Sequence, residues 1–400
     1  MKWWFGRKAG GGSLRPFLFS WGRGSALVEG GAWPRSYEAQ VREAYLGNPV
    51  AQRAVRLVAE SVASAVVYAT QEGVAEASPA VTSAGPPPPG SAWSPSPFRG
   101  ELVSAALIET TVTHLLLHGN SYVQVLCDAE GVPAELFALR PERVSVEADA
   151  SGWPAAYLYK AGEARSRIAA RDGLNRPGLV HLKSVHPLDD HYGLGCLGAA
   201  AGAVAIHNAA SRWNKALLDN AARPSGALVY APSDGSALSG DQFERLREEL
   251  EGQFAGAGNA GRPMLLEGGL SWQAMSLSPA DMDFVGLKSA AAREIALAFG
   301  VPPMLLGLPG DSTYANYREA NRALWRLTVL PMAERVLGGI GGALGAWWPG
   351  LKLQVDVDQV TALSEDRERL WAQVSGAAFL SDAEKREMLG FAAAQAGEAG

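Results

Sequence analysis

The sequence has few cysteines and few charged residues. Its 400 residues include two cysteines, Cys127 and Cys196, which excludes a disulfide scaffold and a four-cysteine zinc site. So few cysteines fit a reducing compartment. Charged residues make up 19% of the chain, below the typical value of about 25%. A large surface with so few charges suggests that partners cover part of it.

Long apolar runs are also missing. No run reaches the roughly 18 residues of a membrane span, and the nearest, Val336–Leu351, is short and rich in glycine. The N-terminus has no apolar segment of signal-peptide type after Lys2, so no secretory signal is predicted. We expect no membrane partner, with a peripheral membrane module at Val336–Leu351 as an alternative.

The sequence lacks the motifs of several enzyme classes. It contains no Walker A loop, no H-E-x-x-H, no G-x-S-x-G and no C-x-x-C. We therefore predict no catalytic residues, no cofactor and no bound metal. If the protein takes part in a motor, the energy must come from a partner ATPase.

The remaining composition is that of a globular protein. Hydrophobic residues make up 48% of the chain, and its length predicts about two to three domains. The net charge is −6, so contact with a nucleic acid must be local or loose.

The first half of the chain predicts an α+β unit at residues 37–195. Before it, residues 1–36 form a basic arm in which six cations accompany a single acid, Glu29. This arm is either a mobile tail or an element that docks on a partner or on nucleic acid. Asn48-Pro49 is a helix start, a second helix covers about 101–117, and residues 71–100 are a proline-rich loop. Strands are predicted at 122–126, 136–146, 156–159 and 179–183.

Residues 197–221 predict a long helix with a ridge of mostly small residues at every fourth position. Small residues let helices approach closely, so this ridge is the candidate for subunit packing. The ridge residues that we assign to that packing are Ala201, Ala205, Ala209 and Trp213. The other face is polar and carries His207, Asn208, Ser211, Arg212, Lys215 and Asp219.

A compact insert follows at residues 223–277, in the order strand, helix, strand, strand. The strands are predicted at 226–230, 264–266 and 270–275, and a capping box at Ser239–Gln242 starts the helix. The charged face of that helix carries Glu244, Arg245, Glu248 and Glu251. A second long helix, from a capping box at 278–281 to Gly300, brackets the insert.

The last quarter of the chain predicts a loop at 303–317 and a helix over 318–337. Pro331 lies within that helix and should kink it. Arg318, Arg322 and Arg326 are spaced by four and share one helix face, either as a stripe for a phosphate backbone or as a solvated face. A strand is predicted at 351–357, and helices at 360–400.

Four other groups of residues have the composition of a chemical site. His186, Asp189, Asp190 and His191 could bind a divalent metal, which would suit a metal-dependent nucleic-acid hydrolase; the alternative is a solvated loop. Asp356 and Asp358 are either a Mg²⁺ pair or one solvent face of a strand. Cys196 is either a low-pKa thiol or a packed side chain, and the glycine-rich run 256–261 is either a phosphate cradle or a tight loop.

Seven segments, in matching order, resemble the portal proteins of long-tailed double-stranded DNA phages. They include LLLHGNSYVQV (115–125), DDHYGLGCLGAA (189–200), GNAGRPMLLEGG (258–269) and REIALAFGVPPMLLG (293–307). The others are the region around LFALRPERVSV (136–146), YANYREANRALWRLTVLPMAERV (314–336) and FLSDAEKREMLGF (379–391). Gene transfer agents, the phage-like particles that bacteria encode, use similar portals.

The resemblance implies a portal fold with named parts. These would be the wing (37–195 and 318–359), two stem helices (196–222 and 278–300), the clip (223–277), the tunnel loop (301–317) and the crown (360–400). The function implied is a head–tail connector, a ring that is usually of twelve subunits at one capsid vertex, through which double-stranded DNA is packaged and ejected. The implied location is a virion or phage-like particle assembled in the bacterial cytoplasm.

The resemblance also implies partners and surfaces. The partners would be further copies of the chain, double-stranded DNA, the large terminase subunit, a head–tail adaptor and the major capsid protein. The residues expected to line the DNA channel are Gly307, Pro309, Gly310, Asp311, Ser312, Thr313, Arg318, Arg322 and Arg326. The charged helix face of the insert would contact the terminase and the adaptor.

Overall fold

The computed structural model describes residues 36–71, 102–219, 226–230, 270–274, 283–308 and 314–389, together with 239–242, 244–246 and 248. The expected α+β class is confirmed, because helices and small antiparallel sheets alternate along these segments. The basic arm up to residue 35, residues 72–101, the strand expected at 264–266, the glycine-rich run 256–261, the capping box at 278–281 and residues 309–313 lie outside the described residues.

The described helices are numbered in chain order. They are α1 Tyr37–Val41, α2 Pro49–Ser64, α3 Ala105–His118, α4 Cys196–Asp219, α5 Phe284–Ala298, α6 Tyr314–Leu324, α7 Leu330–Leu344, α8 Ser364–Gly376 and α9 Asp382–Met388. Two π-helical segments, Arg42–Leu46 and Trp325–Val329, follow α1 and α6 directly.

The described strands form four antiparallel sheets. The strands are β1 Val67–Gln71, β2 Asn120–Cys127, β3 Pro133–Leu139, β4 Val144–Ala148, β5 Pro154–Ala161, β6 Ala164–Ala169, β7 Leu179–Lys183, β8 Gly226–Tyr230, β9 Leu270–Ala274 and β10 Leu351–Val355. The sheet orders are β1–β10, β3–β2–β7, β4–β5–β6 and β8–β9.

The main core lies where α2, α3 and α7 pack with β10 and with the β2–β7 part of a sheet. Helix α2 begins as predicted, because the Asn48 side chain accepts hydrogen bonds from the backbone of Val50 and Ala51, each at 3.0 Å. Its buried face includes Val55, Val58 and Val62. The alternating burial of β10 places Leu351, Leu353 and Val355 on the same core.

The helix expected at 318–337 is longer, running from Tyr314 to Leu344 with a π-helical segment in the middle. Pro331 lacks a backbone N–H, so a regular α-helix would lose one hydrogen bond there. The segment Trp325–Val329 ends just before Leu330, the residue that precedes this proline. The Leu330 N–H donates to the Trp325 carbonyl oxygen. The irregularity expected from Pro331 therefore takes the form of a wider helical turn.

Other strand predictions were wrong in detail. The strand expected over 136–146 is divided by the 3₁₀ turn Pro141–Arg143, and its halves β3 and β4 lie in different sheets. The strand expected to 357 ends at Val355, because Asp356 caps a short 3₁₀ turn by accepting a bond from Asp358 N–H at 3.1 Å. Strands β1 and β6 were not expected.

Candidate ring and channel surfaces

Helices α4 and α5 form an antiparallel pair. The indole ring of Trp213, near the end of α4, stacks on the ring of Phe284 at the start of α5, with centroids 4.3 Å apart and planes 17° apart. Strands β8 and β9 of the insert lie between these helices in sequence and pair with each other from Gly226–Ala274 to Tyr230–Leu270. The order of two long helices around an insert agrees with the sequence prediction.

The four residues of the predicted ridge differ in how far they are buried. Ala201 is buried within the chain, and the half-buried Trp213 packs on Phe284. Ala205 is half-buried and Ala209 is exposed. The small-residue surface that α4 leaves open therefore includes Ala205 and Ala209, whereas Ala201 already packs inside the subunit.

The polar face predicted for α4 is wrong at its two central residues. His207 and Asn208 are only 5% and 8% exposed. The Asn48 amide nitrogen donates to the Asn208 side-chain oxygen at 2.8 Å and lies 3.1 Å from His207 Nδ1. The residue that caps α2 thus also binds two polar side chains of α4.

Glu43 completes this buried polar cluster. The Asn208 side-chain nitrogen donates to the Glu43 backbone oxygen at 2.9 Å and to its carboxylate at 3.1 Å, and Arg212 pairs with that carboxylate at 3.0 Å. The bonds from Asn208 and Arg212 lower the pKa of Glu43. Burial, together with the nearby charge of Lys288, lowers the pKa of His207. Helix α4 is therefore held to the start of α2 by hydrogen bonds that favour an ionised glutamate, while burial and the Lys288 charge favour a neutral histidine.

Three glycines bring backbone segments into close contact just before α4. A Cβ on Gly193 would lie 2.1 Å from the Gly119 oxygen, and one on Gly195 would lie 2.4 Å from the Leu117 oxygen. Gly119 has φ of +81° and would place a Cβ 2.3 Å from the Leu194 carbonyl carbon. The glycines of two phage-like segments, LLLHGNSYVQV and DDHYGLGCLGAA, thus meet at one junction where no larger residue fits.

Asn120 holds the same junction with its side chain. Its oxygen accepts from Gly193 N–H at 2.7 Å and lies 3.0 Å from His181 Nε2, and its nitrogen donates to the Gly193 oxygen at 3.2 Å. The Ser184 N–H also donates to the Gly119 oxygen at 2.8 Å. The entry of the chain into α4 is thus fixed against both β2 and β7.

His181 is a half-buried histidine beside this junction. Its ring stacks on Tyr122 with centroids 4.3 Å apart, and it meets the edge of Tyr157 at 5.7 Å. Burial, with smaller contributions from Lys183 and His191, lowers the pKa of His181 to about 3. Sequence reasoning missed this residue, because its partners come from two other strands.

The predicted arginine stripe is not an open basic face. Arg322 pairs with Glu319 at 3.0 Å and with Glu365 at 2.5 Å, and its side chain is only 13% exposed. Arg318 pairs with Glu365 at 2.7 Å. Arg326 is exposed and makes no ion pair with another described residue. Acids of the same chain thus neutralise two of the three arginines.

The loop between α5 and α6 is described as far as residue 308. Helix α5 ends as predicted near Gly300, which has φ of +67°, and a 3₁₀ turn follows at Pro303–Leu306. Gly307 has φ of +71° and caps that turn. Pro309, Gly310, Asp311, Ser312 and Thr313, the other loop residues expected to line a channel, lie outside the described residues.

The described part of the insert keeps two predicted features. Ser239 and Gln242 form the capping box, with Ser239 N–H donating to the Gln242 side chain at 3.0 Å and Gln242 N–H donating to the Ser239 hydroxyl at 3.3 Å. Glu244, Arg245 and Glu248 are exposed helical residues, and Glu251 lies outside the described residues.

The residues proposed for a metal site do not converge on one. The Asp189 carboxylate accepts bonds from the backbone of His191 and Tyr192 at 2.8 and 2.9 Å, and His186 Nδ1 accepts from Leu188 N–H at 3.1 Å. Across the described segments, no three His, Cys, Asp or Glu residues form a group that could hold a metal ion. The hydrolase alternative therefore loses its candidate site.

Burial bears on two further alternatives, the low-pKa thiol at Cys196 and the membrane module at Val336–Leu351. Burial raises the pKa of Cys196, so this cysteine is a packed side chain and not an activated thiol. The helix Tyr314–Leu344 is long and apolar enough to cross a membrane by length and composition. Its apolar residues Val336, Leu337 and Ile340 are fully buried in the protein core.

Comparison with known sequences identifies the family of the chain. The model of the phage portal protein family matches residues 49–390, and the chain therefore belongs to that family. An uncharacterized protein of Rickettsia bellii is 42% identical over 297 residues, covering 72% of this chain and 74% of its own length. A "Probable portal protein" of Streptomyces phage phiC31 is 25% identical over 262 residues, covering 63% of this chain and 55% of its own length.

Similar solved structures include chains of gene transfer agent particles and a phage portal protein. A chain of the virion of a native gene transfer agent (GTA) particle is 45% identical and covers 90% of this chain and 95% of its own, with a TM-score of 0.65. A chain from the neck of a native GTA particle, computed with C12 symmetry, is also 45% identical, covers 91% and 97%, and has a TM-score of 0.65. An HK97 family phage portal protein from Corynebacterium diphtheriae is 15% identical, covers 80% and 94%, and shares the fold with a TM-score of 0.54.

Proposed function

We propose that this chain is the portal subunit of a gene transfer agent or related phage-like particle. Copies of the chain form a closed ring at one capsid vertex, and double-stranded DNA enters and leaves through its channel. The observation that carries the proposal is the 45% identity, over 91% of this chain, to a chain of a GTA neck with C12 symmetry. Twelve copies are the number expected from that symmetry.

The parts of a portal fit the observed elements. In this assignment α4 and α5 are the stem, the insert with β8 and β9 is the clip, and α8 and α9 are the crown. The sheets β3–β2–β7 and β4–β5–β6, with α2, α3 and α7, form the wing. The buried junction at Gly119 and Gly193 then fixes the stem on the wing.

The charges suit a channel in which DNA slides. Each phosphate that a protein neutralises adds affinity, so a channel lined with many free cations would hold the duplex. Here the net charge is −6, and Arg318 and Arg322 are paired with Glu365. Arg326 is the stripe residue best able to meet a phosphate, because it is exposed and unpaired among the described residues.

The tunnel loop is proposed to narrow the channel. Most residues of 307–313 are small, and Asp311 is their only charge. We expect the loop to touch the duplex without binding it tightly.

The clip is proposed to dock the partners of DNA packaging. Its exposed residues Glu244, Arg245 and Glu248, with Glu251, would contact the large terminase subunit during filling and a head–tail adaptor afterwards. The wing would face the major capsid protein, and the ring would assemble in the bacterial cytoplasm.

Negative-stain imaging of the purified full-length chain tests the proposal. We expect rings with a central hole, and sedimentation should give a single large species. Only monomers under several salt conditions would contradict the ring and, with it, the channel.

A loop deletion tests the DNA path separately. Removal of Gly310–Thr313 should spare ring formation and reduce the amount of DNA packaged or retained, because the narrow part of the channel is lost. Unchanged packaging with intact rings would remove the loop from the DNA path.

A further inference from the structure

One side of α4 carries a stripe of small residues, which Arg212 and Trp213 interrupt between Ala209 and Ala216. Its members are spaced by four, three, four and seven residues, which places them in one stripe along the helix. They are Gly198, Gly202, Ala205, Ala209 and Ala216, all exposed or half-buried. A Cβ on Gly202 would meet no atom within 4 Å, so this stripe is a shallow open groove.

One side of α5 is also open, and it carries larger residues. Leu287 is 44% exposed and Leu297 is 78% exposed. Ala290 and Glu294, which lie between them at helical spacing, are exposed as well. Two large leucines thus have much of their apolar side chains exposed on one side of α5.

The two open sides lie on opposite flanks of the helix pair. Helix α5 buries Ala291, Ala292, Ile295 and Ala296 on the side away from its leucines. On α4, Val204 and His207 are buried, about 100° or more around the helix from the stripe. Because the helices pack by their buried sides, the groove and the leucines face outward in different directions.

We propose that the leucine face of α5 in one subunit packs into the small-residue stripe of α4 in the next copy of the chain. This inference rests on the proposed ring. A cyclic ring needs two different complementary faces on each subunit, since its contacts are head to tail. Large side chains opposite a groove of glycine and alanine give such a pair, and they allow close helix packing.

The stacked pair Trp213–Phe284 shows which residues of α4 and α5 lie at the same level along the helix pair. From that pair, the antiparallel helices place Leu287 at the level of about residue 210, next to Ala209, and Leu297 at the level of about residue 200, between Gly198 and Gly202. Rotation about a ring axis keeps every copy at the same height, so residues at one level face each other when the helix pair runs along that axis. Leu287 of one subunit should therefore meet Ala209 of its neighbour, and Leu297 should lie between Gly198 and Gly202.

Cysteine cross-linking in the full-length chain tests this pairing. The double variant L287C/A209C, with Cys127 and Cys196 replaced by serine and alanine, is assembled and oxidised with copper phenanthroline. We expect a ladder of covalent multimers, because cysteine Cβ atoms about 4 Å apart form a disulfide readily. The single variants L287C and A209C should give no ladder, since head-to-tail packing keeps identical residues apart.

Imaging of the same samples separates this inference from the proposed function. Rings that form without a ladder would overturn the helix pairing and leave the portal function standing. Cross-linking of a single variant would show a symmetric contact and also overturn it. Absence of rings from the unmodified chain would overturn both.

A bulky substitution gives a second measurement. A209W should reduce the ring fraction at least tenfold while the circular dichroism of the monomer is unchanged, because Ala209 is exposed in the single chain. The matched variant K215W, at an exposed position on another side of α4, should retain rings. Normal ring assembly by A209W would contradict the proposed contact.

Discussion

The start of α4 and the start of α6 are both fixed to other elements, but by different forces. At the first, Gly193 touches Gly119 backbone to backbone, and the buried Asn120 bonds across the contact. At the second, Arg318 and Arg322 reach Glu365 through charged side chains, and the Arg318–Glu365 pair is about half exposed to solvent. Backbone contact of this kind is insensitive to salt, whereas exposed ion pairs are screened.

This difference matters for a portal. The stem has to keep one direction in every subunit if the ring is to close, and a junction of buried glycines allows little variation. In the proposed assignment, the helix that follows the tunnel loop is held by charged side chains, of which Arg318 is about half exposed. The proposed ring would then combine a rigid mount for the stem with a more adjustable channel element.

The largest effect should come from a methyl group at the rigid junction. Gly193→Ala would place a Cβ 2.1 Å from the Gly119 oxygen and 2.7 Å from Ser184 N. Overpacking of this kind should lower the free energy of unfolding by about 3 kcal/mol, measured by urea denaturation. Gly338→Ala is the matched control, because its Cβ meets no atom within 4 Å on an exposed helix face. It should raise stability by up to about 1 kcal/mol, and similar values for both variants would break the comparison.

A smaller effect, and one that depends on salt, is expected at the charged contact. Arg318→Met removes a cation that pairs with Glu365 in a contact whose side chains are 49% and 42% exposed. At low ionic strength the midpoint of thermal unfolding should fall by about 1–2 °C, and most of the loss should vanish in 1 M NaCl. Arg326→Met, which breaks no ion pair among the described residues, should change little at either salt concentration. A loss that is independent of salt would indicate packing and not charge.

The smallest effect at neutral pH should come from His181. Its pKa in the folded protein is about 3, below the usual 6.5, so the unfolded chain binds the proton more readily. The stability that it contributes is complete above about pH 6.5 and is lost as pH falls toward 3. His181→Gln should therefore reduce the slope of unfolding free energy against pH between 6 and 4 by up to about 1.4 kcal/mol per unit. An unchanged slope in His181→Gln would contradict this contribution.

Local sequence signals predicted much of the secondary structure. The strand at 179–183 agrees with β7, the Asn48 cap starts α2, and the capping box at Ser239–Gln242 is present. These features depend on residues within about four positions, which is why a single sequence suffices for them. The pairing of β1 with β10 was missed, because Val67 meets Val355 from the other end of the chain.

The candidate surfaces were predicted less well than the elements that carry them. Helical spacing placed the arginines on one face, but only the fold shows that Glu365 neutralises two of them. Spacing also placed small residues along α4, but it assigned the buried Ala201 to the outside. A pattern in one helix does not show which neighbour covers which side.

The order of elements and the portal resemblance could be read from the sequence alone, because caps, turns and apolar periods act over a few residues. The burial of His207 and Asn208 was decided only by the tertiary structure. Their partner Asn48 lies 159 and 160 positions away in the chain, and no local pattern links them. The same holds for Gly119 and Gly193. These positions need glycine because two backbone segments that are distant in the sequence touch there, and only the fold shows that contact.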